Sequence, residues 1–288
     1  MSSNALDVAA LAALLDFHVG AGADLALDET PHDRFAEAVT AQAAASAAPQ
    51  ASAQGRDLPP QRMASGDAPP APLAAPAAFA GAGESAEESA HKARALASTA
   101  RTLEELQALL ETFDGCGLRR TAKSLVFADG MPGARVMLVG EAPGGEEDRV
   151  GKPFVGRSGQ LLDRMLGAIG LDRTQVYIAN IVPWRPPGNR TPTPQEAAIC
   201  RPFIERQIAL CNPDILVCLG GPSTQELLGA RDGILRTRGR WFDYDTGSRT
   251  IRALATLHPA YLLRQPTQKR LAWRDFRALR LSLTAKNG

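Results

Sequence analysis

The residues able to do chemistry fall in four short segments of the second half of the chain, each closing an apolar run. The first, Gly140-Glu141-Ala142-Pro143-Gly144-Gly145-Glu146-Glu147-Asp148, joins acids to a glycine-rich backbone, and Pro153-Phe154-Val155-Gly156 follows it. Such a loop leaves N–H groups free to receive an anion or a developing negative charge. The others are 180–190 (NIVPWRPPGNR), 219–223 (LGGPS) and 257–264 (LHPAYLLR). Asn180 brings an amide donor and two acceptor lone pairs, and His258 is the only histidine after His91, so a second histidine for a triad or metal site is missing there. One glycine-rich loop could serve only to turn the chain; four unusual strand ends together indicate a site. The first loop matches neither G-x-x-x-x-G-K-[ST] nor a G-x-G-x-x-G running into a helix, which argues against a nucleotide-fuelled enzyme.

These segments need a scaffold that gathers them. The apolar runs 134–139, 176–182, 215–219 and 251–257 alternate with helical patterns at 159–169, 194–210, 223–228 and 270–283, and a further helix is expected at 103–113. Alternation of this kind predicts a three-layer α/β/α domain around a small, mainly four-stranded parallel sheet. Parallel strands bring their carboxyl ends to one edge, the usual site edge of this architecture.

Composition divides the chain. Residues 36–90 hold 21 Ala and 7 Pro with Phe79 as the one aromatic, too little large apolar surface to offset the entropy of ordering. Residues 1–35 are therefore read as a short arm with a helix near 5–17, residues 36–95 as a disordered, flexible Ala/Pro-rich linker, and residues 96–288 as the globular domain. Acids interrupt the apolar run of the arm and no base precedes it, so no secretory signal is expected; nor is a membrane span, and the expected location is the cytoplasm. From residue 96 onward 27 Lys and Arg face 19 Asp and Glu, a net +8, whereas residues 1–95 carry −7. A basic domain with an acidic arm suits a polyanion, and the arm could also bind an unidentified protein; a solvated Arg-rich surface is the alternative.

The GEAPG loop, the PFVG segment, the N-x-V-x-x-RPPGNRTP stretch and HPAYLLR, in this order, resemble the family 4 uracil-DNA glycosylases over roughly residues 96–283. The resemblance implies a monomeric, monofunctional DNA-repair hydrolase that cuts the N-glycosidic bond of uracil in DNA and leaves an abasic site. It implies that Gly140, Ala142 and Gly144 line the uracil pocket, that Asn180 reads the base, and that His258 supports the departing uracil. Glu141, with Glu147 second, would position water. Phe154 would stack on the base, the alternative being a core residue. Tyr261, Leu262 and Arg264 would enter or grip the DNA, with Arg157, Arg185, Arg190 and Lys269 on phosphates; Leu262 and Leu263 could instead open a packed helix.

Two departures stand out. Relatives with a G-Q-D-P-Y loop have an Asp where this chain has Ala142, and a Tyr that blocks the thymine methyl where it has Gly144, which leaves thymine exclusion open. Family 4 enzymes also hold a [4Fe–4S] cluster on four Cys, and the matching positions here are Phe113, Cys116, Trp184 and Cys200. Phe and Trp supply no thiolate, so no cluster and no other cofactor is expected. Two rival readings follow: a module that binds uracil or abasic sites with weak or product-inhibited catalysis, and a hydrolase of small nucleotides.

Overall fold

The computed structural model describes residues 85–284, so the expected arm and residues 36–84 of the expected linker lie outside the described residues. The last part of that linker is helical. Helix α1 (Ala86–Thr99) is opened by Ser85, whose hydroxyl accepts from Glu88 N while the Glu88 carboxylate accepts from Ser85 N, closing a capping box. Ala93 and Ala97 are buried, and their small side chains allow α1 to lie close on α5 (Pro194–Cys211). The alanines that suggested a lack of core are here the means of close packing, and the domain starts about ten residues earlier than expected.

The sheet has six strands in the order β1-β3-β2-β4-β6-β5. Its centre is the expected parallel set: β2 (Val136–Gly140), β3 (Val176–Asn180), β4 (Ile215–Leu219) and β6 (Thr250–Thr256). Two antiparallel edge strands extend this parallel set. A two-residue β1 (Asp129–Gly130) pairs antiparallel with β3, and β5 (Trp241–Asp245) forms a hairpin with β6. The hairpin turn is set by Gly247 at φ 84°, whose N–H is accepted by Asp245 Oδ1.

Side chains alternate along each central strand between two cores. Met137, Val139, Tyr177, Ala179, Leu216 and Cys218 face α1, α2 (Leu103–Thr112), α5 and α6 (Gly221–Leu228). Val136, Leu138, Val176, Ile178, Ile215 and Val217 face α4 (Arg157–Gly167) and α9 (Lys269–Thr284). Both faces are covered, which is why these strands read as continuous apolar runs. Short helices α3 (Gly145–Val150), α7 (Ile234–Thr237) and α8 (Pro259–Arg264) sit in the loops between the larger elements. Among the described residues no helix is long and apolar enough to cross a membrane.

Candidate active site

The carboxyl ends of β2, β3, β4 and β6 open onto a cavity of about 640 Å³, lined by Glu141, Ala142, Gly144, Glu147, Phe154, Asn180, Gly220, His258, Tyr261 and Arg264 among others. Strand register accounts for its floor. Gly140 pairs with Asn180, and the ladder continues past both as Ile181 N donates to Gly140 O and Val182 N to Glu141 O. Gly140 lacks a side chain for a spatial reason: a Cβ there would lie 2.5 Å from Asn180 Oδ1 and 2.6 Å from Phe154 Cζ.

Asn180 is 5% exposed, and its Oδ1 is buried without a hydrogen-bond partner. An unpaired buried acceptor costs about 1–3 kcal/mol, a penalty that a ligand N–H would relieve. Phe154, also nearly buried, forms the adjoining wall, its ring 5.4 Å from that of His258.

His258 caps α8 with its own ring, since Nδ1 accepts from Ala260 N at 3.1 Å. With the Nδ1 lone pair engaged, the proton of the neutral ring sits on Nε2, which becomes a donor. Burial, reinforced by the Arg264 charge, holds the pKa down at about 4, so the ring is neutral at ordinary pH.

The acids divide. Glu141 lines the cavity, its Oε1 is buried and unpartnered, and burial raises its pKa above the ordinary carboxylate value, partly offset by a hydrogen bond with Thr191. Glu147, expected as a second water-positioning acid, also lines the cavity and is tied to the backbone. Its Oε2 accepts from Gly144 N at 3.1 Å and its Oε1 from Gly156 N at 2.9 Å. The carboxylate thus clamps the GEAPG loop to the PFVG loop and leaves neither oxygen free of the backbone. Asp148 does similar work on Lys123 N and Ser124 N.

Among the residues expected to meet DNA, Tyr261 and Arg264 line the cavity and Arg157 is exposed at the start of α4. Leu262 does not reach outward: it is 1% exposed and packs with Leu257 and Ala272, because α8 turns its apolar side onto the core. Leu263 is half-buried. Arg190 lines the cavity but forms a two-pronged ion pair with Glu196, and Arg185 donates to Asn189 Oδ1 at 2.7 Å. Lys269 begins α9 away from the cavity lining. Ser158, Thr191 and Ile234 line the cavity without having been singled out as site residues; Thr191 falls within the RPPGNRTP stretch, while Ser158 and Ile234 carry no spacing signal and arrive there through the fold.

The four positions that match cluster ligands lie together in one core. Cys116 and Cys200 are fully buried with their Sγ atoms 3.9 Å apart. Phe113 and Trp184 are each 2% exposed, and Phe113 packs edge-on to Phe203 at 5.0 Å. Two thiols beside two packed aromatic rings do not fit a group that takes four thiolates. Cys218 lies within β4 and Cys211 at the end of α5, and among the described residues no three His, Cys, Asp or Glu side chains gather as metal ligands.

Residues 127–277 match the model of the uracil DNA glycosylase superfamily. A type-4 uracil-DNA glycosylase of Thermotoga maritima is 43% identical over 150 residues, which cover 52% of this chain and 77% of the relative. One from Sulfurisphaera tokodaii is 37% identical over 191 residues, or 64% and 87% of the two chains, and one from Archaeoglobus fulgidus is 37% identical over 168 residues, or 57% and 84%.

Proposed function

The chain belongs to the type-4 uracil-DNA glycosylases of the uracil-DNA glycosylase superfamily and removes uracil from DNA, and we propose that it does so with Asn180, Phe154, His258 and Glu141 in distinct roles. The observation that carries this assignment is the buried, unpartnered Oδ1 of Asn180 in a cavity shared with an aromatic wall and a neutral imidazole donor.

The uracil nucleotide leaves the base stack and its base enters the cavity. Phe154 stacks on the ring, Asn180 Oδ1 accepts from N3–H, and the Asn180 amide donates to O4; cytosine presents the opposite pattern at these atoms. As the bond between N1 and the sugar C1′ breaks, the electron pair stays on the base. His258 Nε2–H donates to O2, where negative charge grows, and the loop amides after β2 add to the field. Glu141 orients a water toward C1′ and accepts its proton as the new C–O bond forms. Arg157 and Arg264 contact phosphates. The products are free uracil and an abasic site.

Excision from an oligonucleotide with one uracil, under multiple turnover and followed by alkali cleavage, tests the activity beside thymine and hypoxanthine controls. Strand breakage at uracil alone is expected, and shows that Gly144 does not admit thymine. Uracil-dependent binding without turnover would replace the enzyme with a lesion-binding module.

If Glu141 is the proton acceptor, it must be ionised, so its raised pKa moves the acid limb of the pH–rate profile above the ordinary carboxylate range. In Glu141→Gln that limb is expected to vanish and the rate to drop by about 10²–10⁴-fold. An unchanged profile would remove Glu141 from the mechanism.

We propose that catalysis proceeds without the iron–sulfur cluster, on the support of the packed Phe113 and Trp184 rings and of only two thiols at these positions. The purified chain is expected to contain no stoichiometric iron, and a Cys116→Ala, Cys200→Ala double variant to excise uracil at the parent rate below its melting temperature. Iron in constant ratio to protein, lost together with activity in the double variant, would overturn this.

A further inference from the structure

The aromatic wall of the cavity stands on an unfavourable backbone. Phe154 has φ 54°, in the left-handed region where a Cβ crowds the following carbonyl. Two neighbours meet it there. Gly159, in the first turns of α4, approaches so closely that a Cβ at that position would lie 1.6 Å from Phe154 O. On the same carbonyl falls the guanidinium of Arg173, from the short turn that leads into β3.

Arg173 spends its donors unusually. Nη2 bonds Phe154 O and Nη1 bonds Pro153 O at 3.2 Å, while Nη1 also reaches Asp129 Oδ2 and Nε reaches Asp163 Oδ1, both at 2.7 Å. Asp129 belongs to β1 and is also held by Lys152, and Asp163 belongs to α4. The two carboxylates neutralise the cation and orient its fork, leaving three N–H donors, two of which meet the consecutive carbonyls of Pro153 and Phe154. A residue that merely tied α4 to β1 would need only the carboxylates.

We infer that Arg173 is a positioning residue for base excision: its fork holds the Pro153–Phe154 backbone in the left-handed conformation that turns the Phe154 ring into the uracil pocket. The inference rests on the stacking role proposed for Phe154. Without the fork the backbone relaxes to negative φ and the ring leaves the wall. A lysine keeps the charge but cannot span two carboxylates and two carbonyls.

A double-variant cycle on the full chain separates this role from a structural one. Single-turnover excision from a duplex with one uracil, and inhibition by free uracil, are measured for the parent, Arg173→Gln, Arg173→Lys, Phe154→Ala and Arg173→Gln with Phe154→Ala. Arg173→Gln and Arg173→Lys are each expected to lower the rate about 5- to 30-fold and to weaken uracil inhibition, consistent with partial loss of a stacking contact. In the Phe154→Ala background the same change is expected to have almost no effect. Equal losses in both backgrounds would overturn the role of Arg173 alone; unchanged excision by Phe154→Ala would overturn the stacking role and that of Arg173 with it. Should Arg173→Gln fail to fold, Asp163→Ala, which removes only the anchor of Nε on a half-exposed side chain, carries the same cycle: a smaller loss is expected with Phe154 present and none without it.

Discussion

Uracil excision by a His258→Ala variant is expected to fall about 10²–10³-fold with the fold intact, the effect of removing one donor aimed at developing negative charge. The expectation follows from the ring's tautomer. Because Nδ1 accepts from Ala260 N, the single proton of the neutral imidazole lies on Nε2, and no other histidine is present in the domain after His91 to substitute for it. Single-turnover rates at saturating enzyme check it, and parent-like excision would remove His258 from the chemistry. With a folded-state pKa of about 4, the neutral donor persists across the pH range of ordinary assays, so no rate inflection near 6.5 is expected from this residue. Stability should behave differently. As pH falls below 6.5 the unfolded chain takes up a proton that folded His258 refuses until pH is about 4. The melting temperature of the parent is therefore expected to drop over that window more than that of His258→Ala.

Asn180→Ala is expected to lower the rate about 5- to 150-fold, corresponding to two neutral hydrogen bonds at roughly 0.5–1.5 kcal/mol each. Inhibition by free uracil should weaken in parallel, because the same two bonds hold the base before and after cleavage. The substitution also removes a buried acceptor that has no partner in the free protein, so the variant is expected to be at least as stable as the parent. A loss of activity with unchanged or higher melting temperature therefore separates base reading from folding. Full retention of both rate and uracil inhibition would assign the reading of the base elsewhere.

Strands β2, β3 and β4 were legible because each is buried on both faces and reads as an apolar run, and β6 because only Thr250 and Arg252 of its seven residues are exposed. Strand β5 was not. Its sequence, WFDYD, mixes three large rings with two aspartates and is mostly not buried, and its partner on β6 is supplied only by the hairpin. Helix α1 was hidden for a related reason, since burial of alanines depends on how near another helix can come and not on side-chain size. At the site, Asn180 and His258 stood out because their polar groups fall at the ends of apolar runs, and Phe154 because it is the aromatic of the segment that follows the glycine-rich loop. The work of Glu147 was not, because its partners are backbone N–H groups three and nine residues away. Leu262 looked like a wedge in a linear motif, yet which side of a short helix meets the core is decided by α9 and α4. Arg173 gave no signal at all: its partners lie 10 to 44 residues distant and meet only once the sheet has formed.

The strand order has a consequence for what the pocket can admit. Asn180 closes β3 and His258 follows β6, and β2 and β4 lie between them. Three hydrogen-bonded spacings, about 14 Å in all, therefore separate the two strands, a distance fixed by backbone pairing and not by the side chains. The sheet acts as a ruler. A pyrimidine plus the reach of one amide and one imidazole must fill that interval, and the protein cannot widen it by a fraction of a strand. A change of preferred base would have to come from exchanging the groups at either end of the ruler, while its graduations stay where the ladder sets them.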